Sequence, residues 1–302
     1  MKLIRGINNL IKESAITIGN FDGVHLGHKK IIEDLVVYSK KHQLKSVVIS
    51  FNPTPQSFFG IKQATLTNVK EKFDLLKSLN VDYFVLISFN KRFSDIKADD
   101  FIKTLLNNFK MKALFVGDDF RFGKNKEGDV SFLKISSVQN NFQLNISTSL
   151  LNSQQRISSS YIRNLLNEGD FKHTQEILGR EYSISGRVIH GEKKGRTIGF
   201  PTLNIPLKRK ISPLFGVFAV EVVIQGERFK GVANIGKNPT LKGKKTLLEV
   251  FLFNFNSDVY QQQVQVFFKR YIRAEKKFNN LNELKSQIVK DCYLAKKILN
   301  HK

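Results

Sequence analysis

Short apolar runs alternate with amphipathic helical patterns along residues 14–117, and this alternation constrains the fold more than any other feature of the chain. The predicted strands are 14–19, 46–51, 83–89 and 113–117, and the predicted helices between them are 27–44, 69–79 and 98–109. Such alternation is typical of a parallel sheet with helices on both faces. Ligands on these sheets bind beyond the carboxyl ends of the strands, so we expect the chemistry in the turns there.

The pattern changes character near residue 180. Two further helices are predicted at 159–167 and 171–178, after which helical periodicity is absent until about residue 281. The runs that replace it are β-type and separated by Gly, Pro and Asn turns: 182–189, 217–223, 228–235, 246–253 and 263–272. They indicate a small barrel or sandwich, closed by an amphipathic helix over 282–299. We therefore predict two domains, residues 1–180 and 181–302.

Composition narrows the class of protein. The 302 residues carry 41% hydrophobic side chains and one cysteine, Cys292, with a net charge of +23. A folded chain without an intrachain disulfide framework or a cysteine metal cluster follows. No apolar run is long enough to span a bilayer and the N-terminus is too polar for a secretory signal, so we expect a cytoplasmic protein with no membrane partner.

The excess of basic residues has two interpretations. It could serve a polyanionic partner such as RNA, or it could keep a lysine-rich chain soluble and supply local phosphate sites. The basic clusters at 208–210 and 242–245 contain no aromatic residues on which bases could stack. We therefore expect no nucleic-acid partner.

The sequence GNFDGVHLGH at residues 19–28 lies between the first strand and the first helix of the alternating region. Its three glycines allow backbone amides to approach a ligand, and the helix start adds a positive dipole end that suits phosphate. His25 and His28 are three residues apart and can face the same phosphates. Alternatively, the two histidines are satisfied turn residues, or a metal pair that lacks a nearby third ligand.

Two further segments carry polar groups at element boundaries. ISSSYIR, residues 157–163, offers hydroxyl donors at a helix start with Arg163 one turn further; alone, it reads equally as a Ser N-cap and a solvated arginine. GDDFRFG, residues 117–123, follows a strand, and its Asp118 and Asp119 are either buried strand-end acids or contacts to a flavin or metal.

Several motifs together resemble a known family. GNFDGVHLGH resembles the HxGH signature of the nucleotidyltransferase superfamily, in the form found in bacterial FAD synthetases. GDDFRFG, ISSSYIR and GRTIGFPTLN (residues 195–204) resemble that family's remaining motifs and occur in the same order. The resemblance implies a Rossmann-like FMN adenylyltransferase domain followed by a mostly β, small-barrel riboflavin kinase domain.

The resemblance also implies substrates and site residues. Riboflavin and ATP would give FMN, and FMN and a second ATP would give FAD and pyrophosphate, with Mg²⁺ required. The expected catalytic residues are His25, His28, Arg163 and Glu249, the last as the base of the kinase. The expected phosphate-binding residues are Gly19, Asn20, Phe21, Gly27, Ser158, Ser159, Gly195, Arg196 and Thr197. The expected flavin contacts are Asp118, Phe120 and Arg121, and the expected magnesium ligands are Thr202 and Asn204.

Elementary chemistry agrees with these roles. Adenylyl transfer needs oriented phosphates and neutralised charge, which amides, imidazoles and an arginine supply. Thr202 and Asn204 are two apart in an extended segment and so point to one face with oxygen donors that suit Mg²⁺. Glu249 interrupts the apolar run TLLEVFLF, where a carboxylate needs a partner or a task; it is otherwise an outward, solvated strand residue.

The chain departs from the family pattern at a few positions. Thr54 stands where the family usually has the histidine of F-x-PHP, and this removes one donor near the nucleotide. Three alternatives therefore stay open: only the kinase half is active, the chain is a flavin- or RNA-binding regulator, or the first domain adenylylates another mononucleotide. The sequence leaves the oligomeric state open, with a homo-oligomer as one outcome.

Overall fold

The computed structural model describes residues 1–8, 11–152, 155–191, 199–240 and 243–300. Contacts divide the chain into two compact units, Met1–Gln63 with Val69–Ser159, and Ala64–Asn68 with Ser160–Lys302. The boundary expected between the two catalytic domains near residue 180 stays a prediction, and the units are described one at a time.

The first unit is built on a six-stranded parallel sheet. Its strands are β1 (Lys2–Arg5), β2 (Ser14–Ile18), β3 (Lys45–Phe51), β4 (Tyr83–Ile87), β5 (Met111–Gly117) and β6 (Gln143–Ser147). Its helices are α1 (Leu26–Lys41), α2 (Pro55–Phe58), α3 (Val69–Ser78), α4 (Lys91–Ser94), α5 (Ala98–Phe109) and α6 (Val130–Gln139). A small hairpin, β7 (Leu151–Asn152) with β8 (Gln155–Arg156), follows the sheet. The parallel sheet confirms the predicted fold class of this region.

The strand order β1-β4-β3-β2-β5-β6 reverses direction at β2. From β2 the chain adds β3 and β4 on one side, and β5 and β6 on the other. The crevice between the carboxyl ends of β2 and β5 is therefore the topological switch point, where open α/β sheets bind ligands. The loops that begin there are residues 19–25 and 118–129, which contain two of the motifs found in the sequence.

Alternation along the strands distributes apolar side chains to both faces of this sheet. In β4, Phe84 packs in the cluster that contains Leu35 of α1 and Leu76 of α3. Its neighbour Val85 packs on the opposite face, in the cluster that contains Leu105 of α5. Successive strand residues point to opposite faces, so a continuous apolar run is required when helices cover both.

The second unit is an antiparallel sheet that closes on itself. Its strands are β9 (Ser183–Arg187), β10 (Thr202–Pro206), β11 (Gly216–Ile224), β12 (Glu227–Thr240), β13 (Gly243–Leu252) and β14 (Gln263–Arg273), in the order β10-β13-β12-β11-β14-β9. The N–H of Ile189, just beyond β9, donates to the carbonyl of Asn204 in β10 at 2.8 Å. The two edge strands are thereby joined, and the predicted small barrel is confirmed.

Three helices accompany the barrel: α7 (Ser159–Glu168), α8 (Phe171–Leu178) and α9 (Leu281–Asn300). Cys292 and Ala295 of α9 are buried against Val217 and Val232 of the sheet. Asp291, only 3% exposed, accepts hydrogen bonds from Arg273 Nε and Nη2 at 2.9 and 2.7 Å. An apolar stripe and one buried ion pair therefore attach the predicted C-terminal helix.

The segment Ala64–Asn68 belongs to the second unit although it precedes α3 of the first. Arg209 donates to the carbonyls of Thr65 and Leu66 at 3.1 and 2.8 Å, and Tyr182 also donates to Leu66 at 3.1 Å. Arg209 is thus half-buried between two exposed lysines. It holds backbone in place, so solubility is not the whole role of the basic cluster at 208–210.

Candidate active sites

The turn after β2, residues 19–25, has a backbone conformation that is unusual for its side chains. Phe21 and Val24 have φ values of 46° and 42°, and Gly23 lies between them at 84°. Left-handed φ values are uncommon for bulky residues and persist where the surroundings enforce them. We call residues 19–25 the phosphate loop, after the role that the sequence predicts for them.

His25 and His28 lie together at the start of α1. The imidazole Nδ1 of His25 caps the helix by accepting from the N–H of His28 at 3.3 Å, and the two rings stack with centroids 3.6 Å apart. Because Nδ1 accepts, a neutral His25 carries its proton on Nε2. Burial lowers the pKa of His28 well below its usual value, and the nearby His25 and Lys72 lower it further. His28 is therefore neutral at neutral pH.

The ring of His28 has bonding capacity left over. Among the described residues no protein group bonds its buried Nδ1, and the same is true of the buried Oδ1 of Asn20. Buried polar atoms normally have partners, so these two atoms at the loop require an explanation. A bound ligand would supply it.

Side chains from outside the phosphate loop fix its carbonyl groups. The carbonyl of Asn20 accepts from Ser50 Oγ at 3.1 Å and from Lys72 Nζ. The carbonyl of Asp22 accepts from Ser159 Oγ at 2.8 Å. Ser159, expected to bind phosphate directly, thus bonds the loop backbone in this structure, and Ser158 beside it is half-buried.

Thr54, the departure from the family pattern, caps the short helix α2 next to this loop. Its Oγ1 accepts from the N–H of Ser57 at 3.3 Å. Gln56, in the same helix, accepts from Asn20 Nδ2 at 2.8 Å. The hydroxyl at position 54 therefore has a structural task that the sequence did not indicate.

The turn after β5, at the other side of the switch point, is held by ion pairs and rings. Asp118 accepts from the Oγ and N–H of Ser149 at 2.8 and 3.0 Å, and these hydrogen bonds lower its pKa. Asp119 pairs with Arg156 at 2.5 Å. Phe120 stacks on Phe122 with centroids 5.4 Å apart. The exposed guanidinium of Arg121 bonds only the adjacent Phe120 carbonyl, at 3.2 Å, among its contacts that the structure gives.

Arg163 lies on α7 within the second unit. Its Nε donates to the carbonyl of Ala64 at 2.6 Å, and its side chain is half-buried. The guanidinium is therefore engaged with backbone of its own unit and is not a freely solvated surface group. Its predicted role toward pyrophosphate stays a prediction.

In the second unit, strand register aligns the predicted kinase residues. Asn204 of β10 is directly opposite Glu249 of β13, and Glu249 is directly opposite Asn234 of β12. Directly paired residues of antiparallel strands share a face. We call Asn204, Glu249 and Asn234 the polar row. Asn234 is the member that sequence reasoning missed, because only the register reveals it.

The polar row contains an atom without a partner. Asn234 Oδ1 is buried and makes no hydrogen bond to the described residues. Asn204 is 7% exposed and donates from Nδ2 to the carbonyl of Thr202 at 3.2 Å. The backbone of Gly191 passes so close that a Cβ there would lie 2.3 Å from Asn204 Nδ2, so this position requires glycine.

A cavity of about 480 Å³ opens beside the row. It is lined among others by Gly191, Thr202, Asn204, Asp258 and Tyr260, and its size lies in the range typical of small-molecule sites. Thr202 and Asn204 therefore reach the same cavity, as their spacing predicts. Gly195, Arg196 and Thr197, predicted to bind phosphate, lie outside the described residues.

The donors at this cavity fit magnesium. Thr202 offers a hydroxyl and Asn204 an amide oxygen, which are hard neutral ligands of the kind that Mg²⁺ takes together with substrate phosphates. Among the described residues no cluster of three His, Cys, Asp or Glu could hold a metal ion.

Comparison with known proteins identifies the family. The family model for FAD synthetase matches residues 8–161, and that for riboflavin kinase matches residues 178–299. The chain belongs to the bifunctional riboflavin kinase/FMN adenylyltransferase family. The expected pair of activities is thereby confirmed, and with it the expectation that the chain is a transferase of flavin biosynthesis.

Relatives of that description match over the full length. The protein from Buchnera aphidicola subsp. Schizaphis graminum is 43% identical, covering 99% of each chain. The protein from Escherichia coli strain K12 is 41% identical, covering 98% of this chain and 97% of its own. Both are bifunctional riboflavin kinase/FMN adenylyltransferases.

A solved structure shares the fold over both units. A crystal structure described as a macrolide-efflux protein from Streptococcus pneumoniae is 28% identical, with a TM-score of 0.82 and 99% coverage of each chain. In the described part of the present chain, every helix is too short or too polar to cross a bilayer.

Proposed function

We propose that this bifunctional enzyme divides its work between residues 1–180, which adenylylate FMN, and residues 181–302, which phosphorylate riboflavin with ATP. The observation that carries the assignment is the polar row, because it sets the predicted base Glu249 directly opposite the predicted magnesium ligand Asn204. A base and a metal site must be adjacent for phosphoryl transfer to a hydroxyl.

In the kinase step, Glu249 accepts the proton of the terminal ribityl hydroxyl of riboflavin. The oxygen bonds to the γ-phosphorus of ATP as the bond to the ADP oxygen breaks, which gives FMN and ADP. Thr202 and Asn204 hold Mg²⁺, which neutralises charge on the phosphates when bound. Gly195, Arg196 and Thr197 contact the same phosphates, and Asn234 orients the row with its amide.

In the adenylyl step, a phosphate oxygen of FMN bonds to the α-phosphorus of a second ATP. The bond from that phosphorus to the oxygen of the departing pyrophosphate breaks, which gives FAD. Amides of the phosphate loop and neutral His28 donate to the phosphates, and His25 fixes the start of α1. Ser158, Ser159 and Arg163 stabilise the leaving pyrophosphate, and Asp118, Phe120 and Arg121 contact the flavin.

We also propose that the partners are riboflavin, FMN and ATP alone, without nucleic acid, and that the enzyme works in the cytoplasm. A time course with riboflavin, ATP and Mg²⁺, separating the flavins by chromatography, tests the proposal. We expect transient FMN followed by FAD. With His28→Ala, FMN should accumulate; with Asn204→Ala, FMN should not form, while supplied FMN still becomes FAD. Asn204→Ala that makes FMN at the wild-type rate would overturn the kinase assignment.

A further inference from the structure

A lysine is buried behind the phosphate loop. Lys72 lies on α3, is 6% exposed, and directs its ammonium to the carbonyl of Asn20 and to Ser50 Oγ at 3.1 Å. Lysine is almost never this buried unless a partner or a task compensates. No sequence motif pointed to this residue, and the mechanism above does not use it.

The group that Lys72 contacts controls the direction of a loop amide. The only cis peptide bond in the described residues joins Asn52 and Pro53, so the bond between Asn20 and Phe21 is trans. In a trans peptide the C=O and the following N–H point in opposite directions. Holding the Asn20 carbonyl toward Lys72 and Ser50 therefore turns the Phe21 N–H away from them.

The loop needs such an external restraint. Phe21 has a left-handed φ of 46°, which a phenylalanine adopts only when its surroundings enforce it. Ser50 is a neutral donor to the same carbonyl, whereas Lys72 adds a fixed positive charge in a buried position. A charge-assisted hydrogen bond is the stronger of the two.

We propose that Lys72 is a positioning residue for adenylyl transfer, acting through the Asn20 carbonyl to aim the amides of the phosphate loop at the ATP phosphates. The proposal rests on the proposed function of the first domain. Lys72 touches no substrate; its charge supplements the helix start behind phosphate groups that are removed from water.

The titratable groups around the ammonium give a second readout. Burial lowers the pKa of Lys72 to about 8, and Asp22 opposes this shift. The Lys72 charge in turn contributes to lowering the pKa of His28, beside His25. FMN adenylylation by the wild type should therefore decline above pH about 8, where Lys72 loses its charge. Removing that charge should raise the pKa of His28, so that the acid limb of the profile moves to higher pH.

The test compares three variants of the full chain, each assayed for both activities. Lys72→Met keeps the volume and loses the charge; we expect FAD formation from FMN to fall about 100-fold, the scale of a misplaced site, while riboflavin phosphorylation is unchanged. Lys72→Arg should restore most of the rate and remove the decline above pH 8. Lys70→Met, an exposed lysine of the same helix, should change neither activity.

The possible failures are distinguishable. Wild-type protein that makes no FAD from FMN would refute the proposed function of the first domain. Active wild type with an equally active Lys72→Met would refute the positioning role. Loss of activity in Lys72→Met and Lys72→Arg alike, with no movement of the pH profile, would make Lys72 a purely structural residue and also overturn the proposal.

Discussion

The two candidate sites of this enzyme hold their polar groups by different means. In the first unit the ligand-facing groups are loop amides, and side chains from three other elements restrain them: Ser50 from β3, Lys72 from α3 and Ser159 from α7. In the second unit, Asn204, Glu249 and Asn234 stand on adjacent strands whose ladder hydrogen bonds fix their spacing. Damage to the first site should therefore come from remote residues, and damage to the second from members of the row.

The largest effect should follow from Glu249→Gln. The amide keeps the shape of the row and cannot accept the hydroxyl proton, so riboflavin phosphorylation should fall about 1,000-fold, as on loss of a general base. Supplied FMN should become FAD at the wild-type rate, which serves as the internal control. Chromatographic assay of both reactions checks this. FMN formation by Glu249→Gln at more than a tenth of the wild-type rate would refute the role of base.

Asp291→Ala should lower the stability of the second unit. It leaves the Arg273 guanidinium beside an empty space at the seam with α9, and breaking a buried pair costs about 3 kcal/mol or more. We expect kinase activity to be lost at a lower temperature than in the wild type, with adenylylation less affected. The control is Asp74→Ala, which removes an exposed ion pair worth less than about 1 kcal/mol. Equal thermal inactivation of the two variants would contradict this account.

The sequence predicted much of both regions and missed their restraints for identifiable reasons. The strong periodicity of α5 and the continuous apolar runs of β3 and β5 predicted those elements to within a few residues. The edge strand β6, QLNIS, was missed because it is half exposed and has no clean alternation. A weakly amphipathic α6 was missed for a similar reason.

At the sites, local motifs predicted the residues of the loop and of the row, but not their long-range partners. Asn234 is 15 positions from Glu249 and meets it only through register. Lys72 is 52 residues from Asn20, and Ser159 is 137 from Asp22. The sequence alone gives no signal for such contacts, because they arise from tertiary packing.

Ser159→Ala should have a moderate effect on the first site only. It removes the donor to the Asp22 carbonyl, so the following amide loses one restraint, and FAD formation should fall about tenfold, the equivalent of one typical hydrogen bond. Ser160→Ala is the matched control, since the neighbouring serine is exposed. Steady-state kinetics of adenylylation with FMN and ATP measures both variants. An effect of Ser160→Ala equal to that of Ser159→Ala would show that the Asp22 contact is not responsible.

The smallest effect should come from Thr54, although it is the most visible departure from the family pattern. Thr54→Ala removes the cap of α2, which costs about 1 kcal/mol, and loosens Gln56 where it bonds Asn20. Because Ser50 and Lys72 still hold the Asn20 carbonyl, FAD formation should fall only about twofold to threefold. Thr54→Ser keeps the cap and should match the wild type. If Thr54→Ser were as impaired as Thr54→Ala, the methyl group rather than the cap would matter, and the first site would depend less on restraint of its backbone than the comparison with the polar row implies.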